Sequence, residues 1–158
     1  MTVTDAELST LASSHDIISL GMAADDVRRG RHATRATFVR VLDVDATPGS
    51  PVSVPHTAGE VRIVGTPASA AAAVDRVREV MAASGGTPVS GFSLADLEQL
   101  AATEHVPLRS LLEDLERAGL ELVAEAPFDK LRDPRLAIEE TNISGLSLAR
   151  CSAAYSQG

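Results

Sequence analysis

Cysteine is almost absent: Cys151 stands alone among 158 residues. A single thiol excludes an internal disulfide framework and any metal or cluster site held wholly by thiolates of this chain. Tryptophan is missing and aromatics make up 3% of the chain. A packed core must therefore come from Ala, Val, Leu and Ile, and no array of stacking rings is available for bases. Basic residues are outnumbered, 14 Lys and Arg against 22 Asp and Glu, for a net charge of -8. That balance argues against a nucleic-acid or anionic-membrane surface. The apolar runs fall far short of the roughly 20 residues that a membrane span needs. The N-terminus carries no apolar region of the kind found in secretion signals. The expected location is cytoplasmic, with neither membrane nor nucleic acid as partner.

What is present is an ordinary apolar content of 44%, enough for one domain over 1–158 with a real core. The stretch 60–119 organises it. Val61-Arg62-Ile63-Val64 is a short apolar run ended by Gly65, which reads as a strand. Thr66-Pro67 offers a cap hydroxyl and a first-turn proline. Ala70, Ala73, Val74, Val77, Val80 and Met81 then recur at helical spacing up to Gly85-Gly86. Residues 88–92 form a second strand, and Ser93-Leu94-Ala95-Asp96 opens another helix. The pattern is β-α-β-α, so the fold class is α/β with a parallel sheet covered by helices.

The flanks extend the unit. Residues 1–32 form an N-terminal helical segment. Thr4-Asp5-Ala6-Glu7 fits a capping box followed by Leu8 and Leu11. A second helix starts near Ser14, places Ile17, Leu20, Gly21, Ala24 and Val27 on one face, and ends in Arg28, Arg29 and Arg31. These arginines read as a solvated helix end favoured by the dipole. A β-branched alternation over 37–42 is a strand, and 46–59, with Pro48, Pro51 and Pro55, is a long loop. Pro107 begins a helix whose Leu108, Leu111, Leu112 and Leu115 form a core stripe ended by Gly119. Residues 121–124 form a strand, Asp133-Pro134 caps a last helix ending near Ser144-Gly145, and 146–151 form the final strand. Residues 153–158 read as a tail.

A resemblance follows. Ser14-His15-Asp16-Ile17 through Val27-Arg28-Arg29, then Arg31-His32 and Thr37-Phe38-Val39, is similar to the helix that leads into the barrel of certain radical S-adenosylmethionine enzymes. The group comprises aminofutalosine synthase, the futalosine cyclase and the deazaflavin (FO) synthase subunits. Glu60-Val61-Arg62-Ile63-Val64-Gly65 with Ala73-Val74-Asp75-Arg76-Val77 resembles a mid-barrel strand and its helix. Val89-Ser90-Gly91-Phe92-Ser93, the helix ending Ala118-Gly119-Leu120, Glu125, and 143–152 resemble later segments, about two thirds of the chain together. The resemblance implies a partial (β/α) barrel over 33–152, with parallel strands in chain order and helices outside.

The departures from that family bear on function. Its cluster needs Cys-x-x-x-Cys-x-x-Cys after the first strand, and 42–59 holds no cysteine. Ser90 stands where the family has a substrate-side lysine. No iron–sulfur cluster is expected, and no other cofactor is proposed. The five expected strands are too few to close a barrel of eight.

Loops after strand C-termini form the sites of such folds, and those positions offer Asp43 and Asp45, Gly65 to Ser69, Ser90 with Ser93 and Asp96, Glu125 with Asp129, and Cys151 with Ser152. Gly65, Thr66 and Ser69, at a helix start, can hold an anion through free amides or simply cap the helix. Ser90, Ser93 and Glu125 complete the candidate ligand-binding set. Glu125 and Asp129 are candidates for an acid/base pair, against the reading of ordinary acidic loop residues. Cys151 is a candidate nucleophile, though Leu146, Leu148 and Ala149 around it favour a buried, inert thiol. His15, His32, His56 and His105 lie in separate segments with no metal-ligand spacing, so no metal site is proposed.

Two function classes stand. One is a non-catalytic, barrel-derived binding or interaction module, associated with an enzyme of menaquinone or deazaflavin biosynthesis. The other is a small enzyme using acid/base residues at the strand C-termini after loss of the cluster. An open barrel fragment exposes strand edges and an apolar face, here taken as Val39, Val41, Ile63, Val89 and Leu148. The expected partner is a second copy in a homodimer, or a related enzyme in a heteromer, beside a possible small-molecule ligand.

Overall fold

The computed structural model describes residues 4–35 and 38–152. The chain divides into two compact units, Met1–Phe38 and Val39–Gly158.

In the first unit, α1 (Asp5–Ser13) starts with the capping box that its sequence announces. The Glu7 amide donates to the Thr4 hydroxyl at 3.3 Å, and the Thr4 amide donates to the Glu7 carboxylate at 2.8 Å. Leu11, expected as an apolar contact, is exposed. Helix α2 (Ile17–His32) starts later than Ser14 because Asp16 caps it. One oxygen of that carboxylate accepts from the amides of Ile18 and Ser19, which the Ser14 hydroxyl is too far back to reach. Arg29, Arg31 and His32 occupy the last turn as expected, and Asp25 pairs with both Arg28 and Arg29. Residues 1–3, 36–37 and 153–158, including the start of the first expected strand and the expected tail, lie outside the described residues.

The second unit is an α/β layer structure. Its strands are β1 (Val41–Asp45), β2 (Glu60–Val64), β3 (Val89–Ser93), β4 (Leu122–Pro127), β5 (Ser147–Leu148) and β6 (Cys151–Ser152). All pairings are parallel, in the order β1-β2-β3-β4-β5, with β6 also on β4. Helices α3 (Ala70–Ser84), α4 (Leu94–Glu104), α5 (Leu108–Ala118) and α6 (Pro134–Ile143) pack on one another and on the strands. Strands in chain order with a continuous helix layer are the arrangement of a partial (β/α) barrel.

Several boundaries differ from the sequence reading. The first strand runs over Val41–Asp45, displaced from 37–42. The same alternation continues through Leu42-Asp43-Val44-Asp45, and pairing with 60–64 selects that part of it. Phe38 and Val39 are left exposed. Helix α3 begins at Ala70, not at Pro67: the Ser69 hydroxyl accepts from the Ala72 amide at 3.0 Å and makes the cap. The final strand is interrupted at Ala149 and Arg150, yet both pieces keep one register on β4. The α6 cap falls as expected, with Asp133 accepting from the Leu136 amide.

The core is aliphatic, as the scarcity of rings requires. Val61, Ile63, Val77, Val80, Val89, Leu97, Leu112, Leu115 and Val123 are buried together, with Phe92 their one ring. The Leu111, Leu112 and Leu115 stripe of α5 is fully inside, while Leu108 is half-buried. Gly119 ends α5 at φ +107, where a side chain would also strike Met81. Gly91 lets β3 approach β2: a Cβ there would stand 3.0 Å from that of Ile63. Arg109 joins α5 to α6 through a two-bond pair with Glu140 at 2.7 and 2.8 Å, which also raises the Arg109 pKa.

One expectation is corrected. Ile63 and Val89 do not belong to an uncovered apolar face; they are 1% and 0% exposed, in the core formed with the helices. Strand side chains alternate between faces, so Val41, Asp43 and Asp45 share the opposite face with Glu60, Arg62 and Ser90. The face away from the core is mixed: beside these polar side chains it carries Val41 and Val64, both exposed, and the half-buried Leu122 and Ala124.

The segment 46–59 links β1 to β2 without a helix. Its start is held by Arg76 of α3, a fully buried arginine. Arg76 donates from Nε to the Asp45 carbonyl at 2.7 Å and from Nη1 to the Ser50 carbonyl at 2.9 Å. Glu79 accepts from the Gly49 amide at 2.9 Å and pairs with Arg76. Val52 and Val54 pack against the core from the same segment.

Candidate functional site

At the C-terminal ends of the strands lies an open cleft of about 260 Å³. Asp43 comes to it from β1, Arg62 from β2, Phe92 and Ser93 from β3, and Glu125 from β4. Asp96 joins from the first turn of α4 and Arg150 from the link between β5 and β6. Ile63, Val64, Gly65 and Ala124 supply apolar wall. The position follows from topology, because parallel strands deliver all their following loops to one end.

Charge in the cleft is mixed. Arg62 and Asp43 are register partners on adjacent strands. Even so, the Arg62 guanidinium turns back along its own strand, its Nη2 2.8 Å from a Glu60 oxygen that also accepts from the Ser90 hydroxyl at 2.6 Å. Its Nε is buried without a hydrogen-bond partner. Glu125 is ion-paired with Arg150. Asp96 accepts from the Thr66 hydroxyl at 2.8 Å, which ties the loop after β2 to α4. Neither Asp43 nor Asp96 has an ion-pair partner among the described residues. Beside the cleft, the Thr47 hydroxyl and amide hold the Asp45 carboxyl below the usual carboxylate range.

Phe92 has φ +60 at the end of β3. A bulky residue in left-handed backbone is strained by about 1–3 kcal/mol, and such strain collects at functional sites. The residue is only 2% exposed, so the packing of its side chain in the core holds the strained backbone in place.

Of the candidates named from sequence, the structure brings Asp43, Gly65, Ser93, Asp96 and Glu125 to this cleft. Thr66 lies behind it on Asp96. Ser69 caps α3, and the neighbouring Ala70 amide donates to Glu104 at 2.9 Å. The anion at this helix start is therefore the chain's own carboxylate. Ser90 is fully buried on Glu60 and is not a lining residue. Asp129 is exposed in a 3-10 turn and does not line the cleft beside Glu125. Cys151 is exposed, not buried, because the strand that carries it pairs only at its β4 side. Among the described residues no three His, Cys, Asp or Glu side chains are grouped to hold a metal.

Arg62, Phe92 and Arg150 were missed as site residues. The available signal was Arg62 itself: a charge in the middle of Val61-Arg62-Ile63-Val64 means that one face of that strand is not core. No protein family model, curated protein or solved structure matches this chain. Among the described residues no helix is long and apolar enough to cross a membrane.

Proposed function

We propose that this chain is a binding module on a partial (β/α) barrel that holds a small polar ligand in the cleft at its strand ends. One observation carries the reading. Asp43, Arg62, Asp96, Glu125 and Arg150, far apart in sequence, converge on a single concavity whose floor includes a strained phenylalanine. Convergent polar groups over an apolar floor are what small-molecule sites require.

The non-catalytic form of this reading is supported by the state of the acid/base candidates. The Glu125 carboxylate is engaged by Arg150, and Asp129 is outside the cleft. Descent from the radical S-adenosylmethionine enzymes of menaquinone and deazaflavin biosynthesis is part of the proposal. Sequential parallel strands with one helix layer support it. A lone cysteine leaves such a descendant without the three thiolates of the family's cluster. Among the described residues the sheet ends in strands with a single neighbour, β1 on β2 and the β5–β6 strand on β4. These edges suit pairing with a second copy or a related enzyme.

The test is a thermal-shift screen of small polar metabolites on the purified full chain, with the ligand re-isolated afterwards. A binder should raise Tm by several degrees at saturation, be recovered unchanged, and lose its effect in at least one of Arg150→Ala, Asp96→Ala and Asp43→Asn. A ligand whose effect survives alike in Arg150→Ala, Asp96→Ala and Asp43→Asn binds elsewhere and refutes the cleft. Light scattering on the same preparation separates a dimer from a monomer.

A further inference from the structure

We infer that the cleft takes a small zwitterion of the amino-acid class, its ammonium on Asp43 and its carboxylate on Arg62; this rests on the binding-module reading above. The argument begins with two groups that ought to meet. Asp43 and Arg62 are register partners in a parallel pair and both line the cleft. Strand spacing puts their backbones about 4.8 Å apart, which brings the two opposite charges within reach of each other. Yet they do not pair. Arg62 bonds Glu60 at 2.8 Å, and Asp43 has no cationic partner among the described residues.

The pair is thus held open, a carboxylate and a guanidinium facing one cavity. The Arg62 Nη2 is engaged and its Nε is buried, which leaves the Nη1 edge for an incoming acceptor. A ligand with only one charge would engage one of the two groups and lie beside a like charge on the other. A ligand with both charges a few bonds apart satisfies both at once. Val64 and Ala124 provide apolar contact for its stem. The volume, about 260 Å³, lies just under the usual range of small-molecule clefts and suits a metabolite of this size.

The experiment titrates the 15N-labelled full chain with each proteinogenic L-amino acid in turn, and with pentylamine, pentanoate and erythritol. At least one amino acid should shift the amides of Gly65, Ser93 and Glu125 saturably. Pentylamine and pentanoate should bind about tenfold or more weakly, since each forgoes a charged hydrogen bond. Asp43→Asn, at an exposed side chain, should keep the spectrum, weaken the amino acid by a similar factor and bind pentanoate no more weakly than the parent does. If a singly charged or neutral probe binds this cleft as tightly as the best amino acid, the zwitterion is wrong and the cleft reading stands. If Asp43→Asn has no effect on a cleft-bound amino acid, the assignment of its ammonium is wrong. If no probe moves these amides, both the zwitterion and the cleft as a site are overturned.

Discussion

Arg62 and Ser90, register partners on neighbouring strands, donate to the same carboxylate oxygen of Glu60, at 2.8 and 2.6 Å. Glu60 is 9% exposed and Ser90 is fully buried, so this three-residue junction replaces apolar packing at the base of the open face. It also aims the guanidinium that reaches the cleft.

Removing the acceptor should therefore be costly. Glu60→Leu leaves a half-buried guanidinium without its partner, and Ser90→Ala leaves only one donor on the oxygen. Expected losses are about 3 kcal/mol for the first and about 1 kcal/mol for the second. Urea unfolding at unchanged m-value measures both. Equal, negligible losses would mean that the junction does not hold the sheet.

Arg76→Met tests the clamp on the β1–β2 segment. The buried guanidinium holds the Asp45 and Ser50 carbonyls and Glu79. A methionine of similar length keeps the aliphatic packing and forfeits these bonds, at a cost of about 2–4 kcal/mol. Hydrogen exchange should accelerate first at the Ala46 amide, which donates to the Val64 carbonyl at the end of the pairing. Unchanged exchange there would show that the segment is held by Val52 and Val54 instead.

A pH dependence follows from the same place. The Gly49 amide, and after it Arg76, lower the Glu79 pKa below that of a free glutamate. A depressed carboxylate contributes stability that is present above its unfolded-state pKa and is lost as pH falls through the lower folded value. The contribution of Glu79 should thus be intact at neutral pH and fade on the acid side of the ordinary glutamate range. Glu79→Gln should be less stable than the parent at pH 7, and the two should converge toward pH 2. Parallel curves across that interval would contradict the linkage.

The exposure of Cys151 predicts its chemistry toward reagents. A disulfide exchange reagent should titrate one thiol per chain in native buffer, without denaturant. Labelling that appears only on unfolding would place the thiol inside after all.

The sheet and its helices were legible because short apolar runs, caps and glycine stops agree with one another. Thr4, Asp133 and Gly119 each mark an end that the structure keeps. The errors have one origin, which is that local chemistry offers alternatives and long-range contact chooses among them. Thr66 and Ser69 are both cap hydroxyls, and Asp96 takes the first from the helix. Two stretches of the 37–45 alternation could pair, and 60–64 selects one. The cleft was legible in part, since strand ends foretell Asp43, Gly65, Ser93, Asp96 and Glu125. What makes it a site is the pairing of Asp43 opposite Arg62 and the fold-back of Arg150 onto Glu125, relations across 19 and 25 positions that no local pattern encodes.

The helix-free crossover has a further consequence, for the order in which the second unit comes apart. Strands β2 to β4 are each bordered on both sides and roofed by helices that also grip one another. Among the described residues strand β1 has one neighbour, and its crossover is a strap fastened at Arg76 and Glu79. Strap and strand together form the natural unit of partial opening, able to detach while the helix layer stays closed. Because Asp43 leaves with that strand, such opening would take one wall from the cleft, so that a ligand seated there would act as a pin against the first step of unfolding.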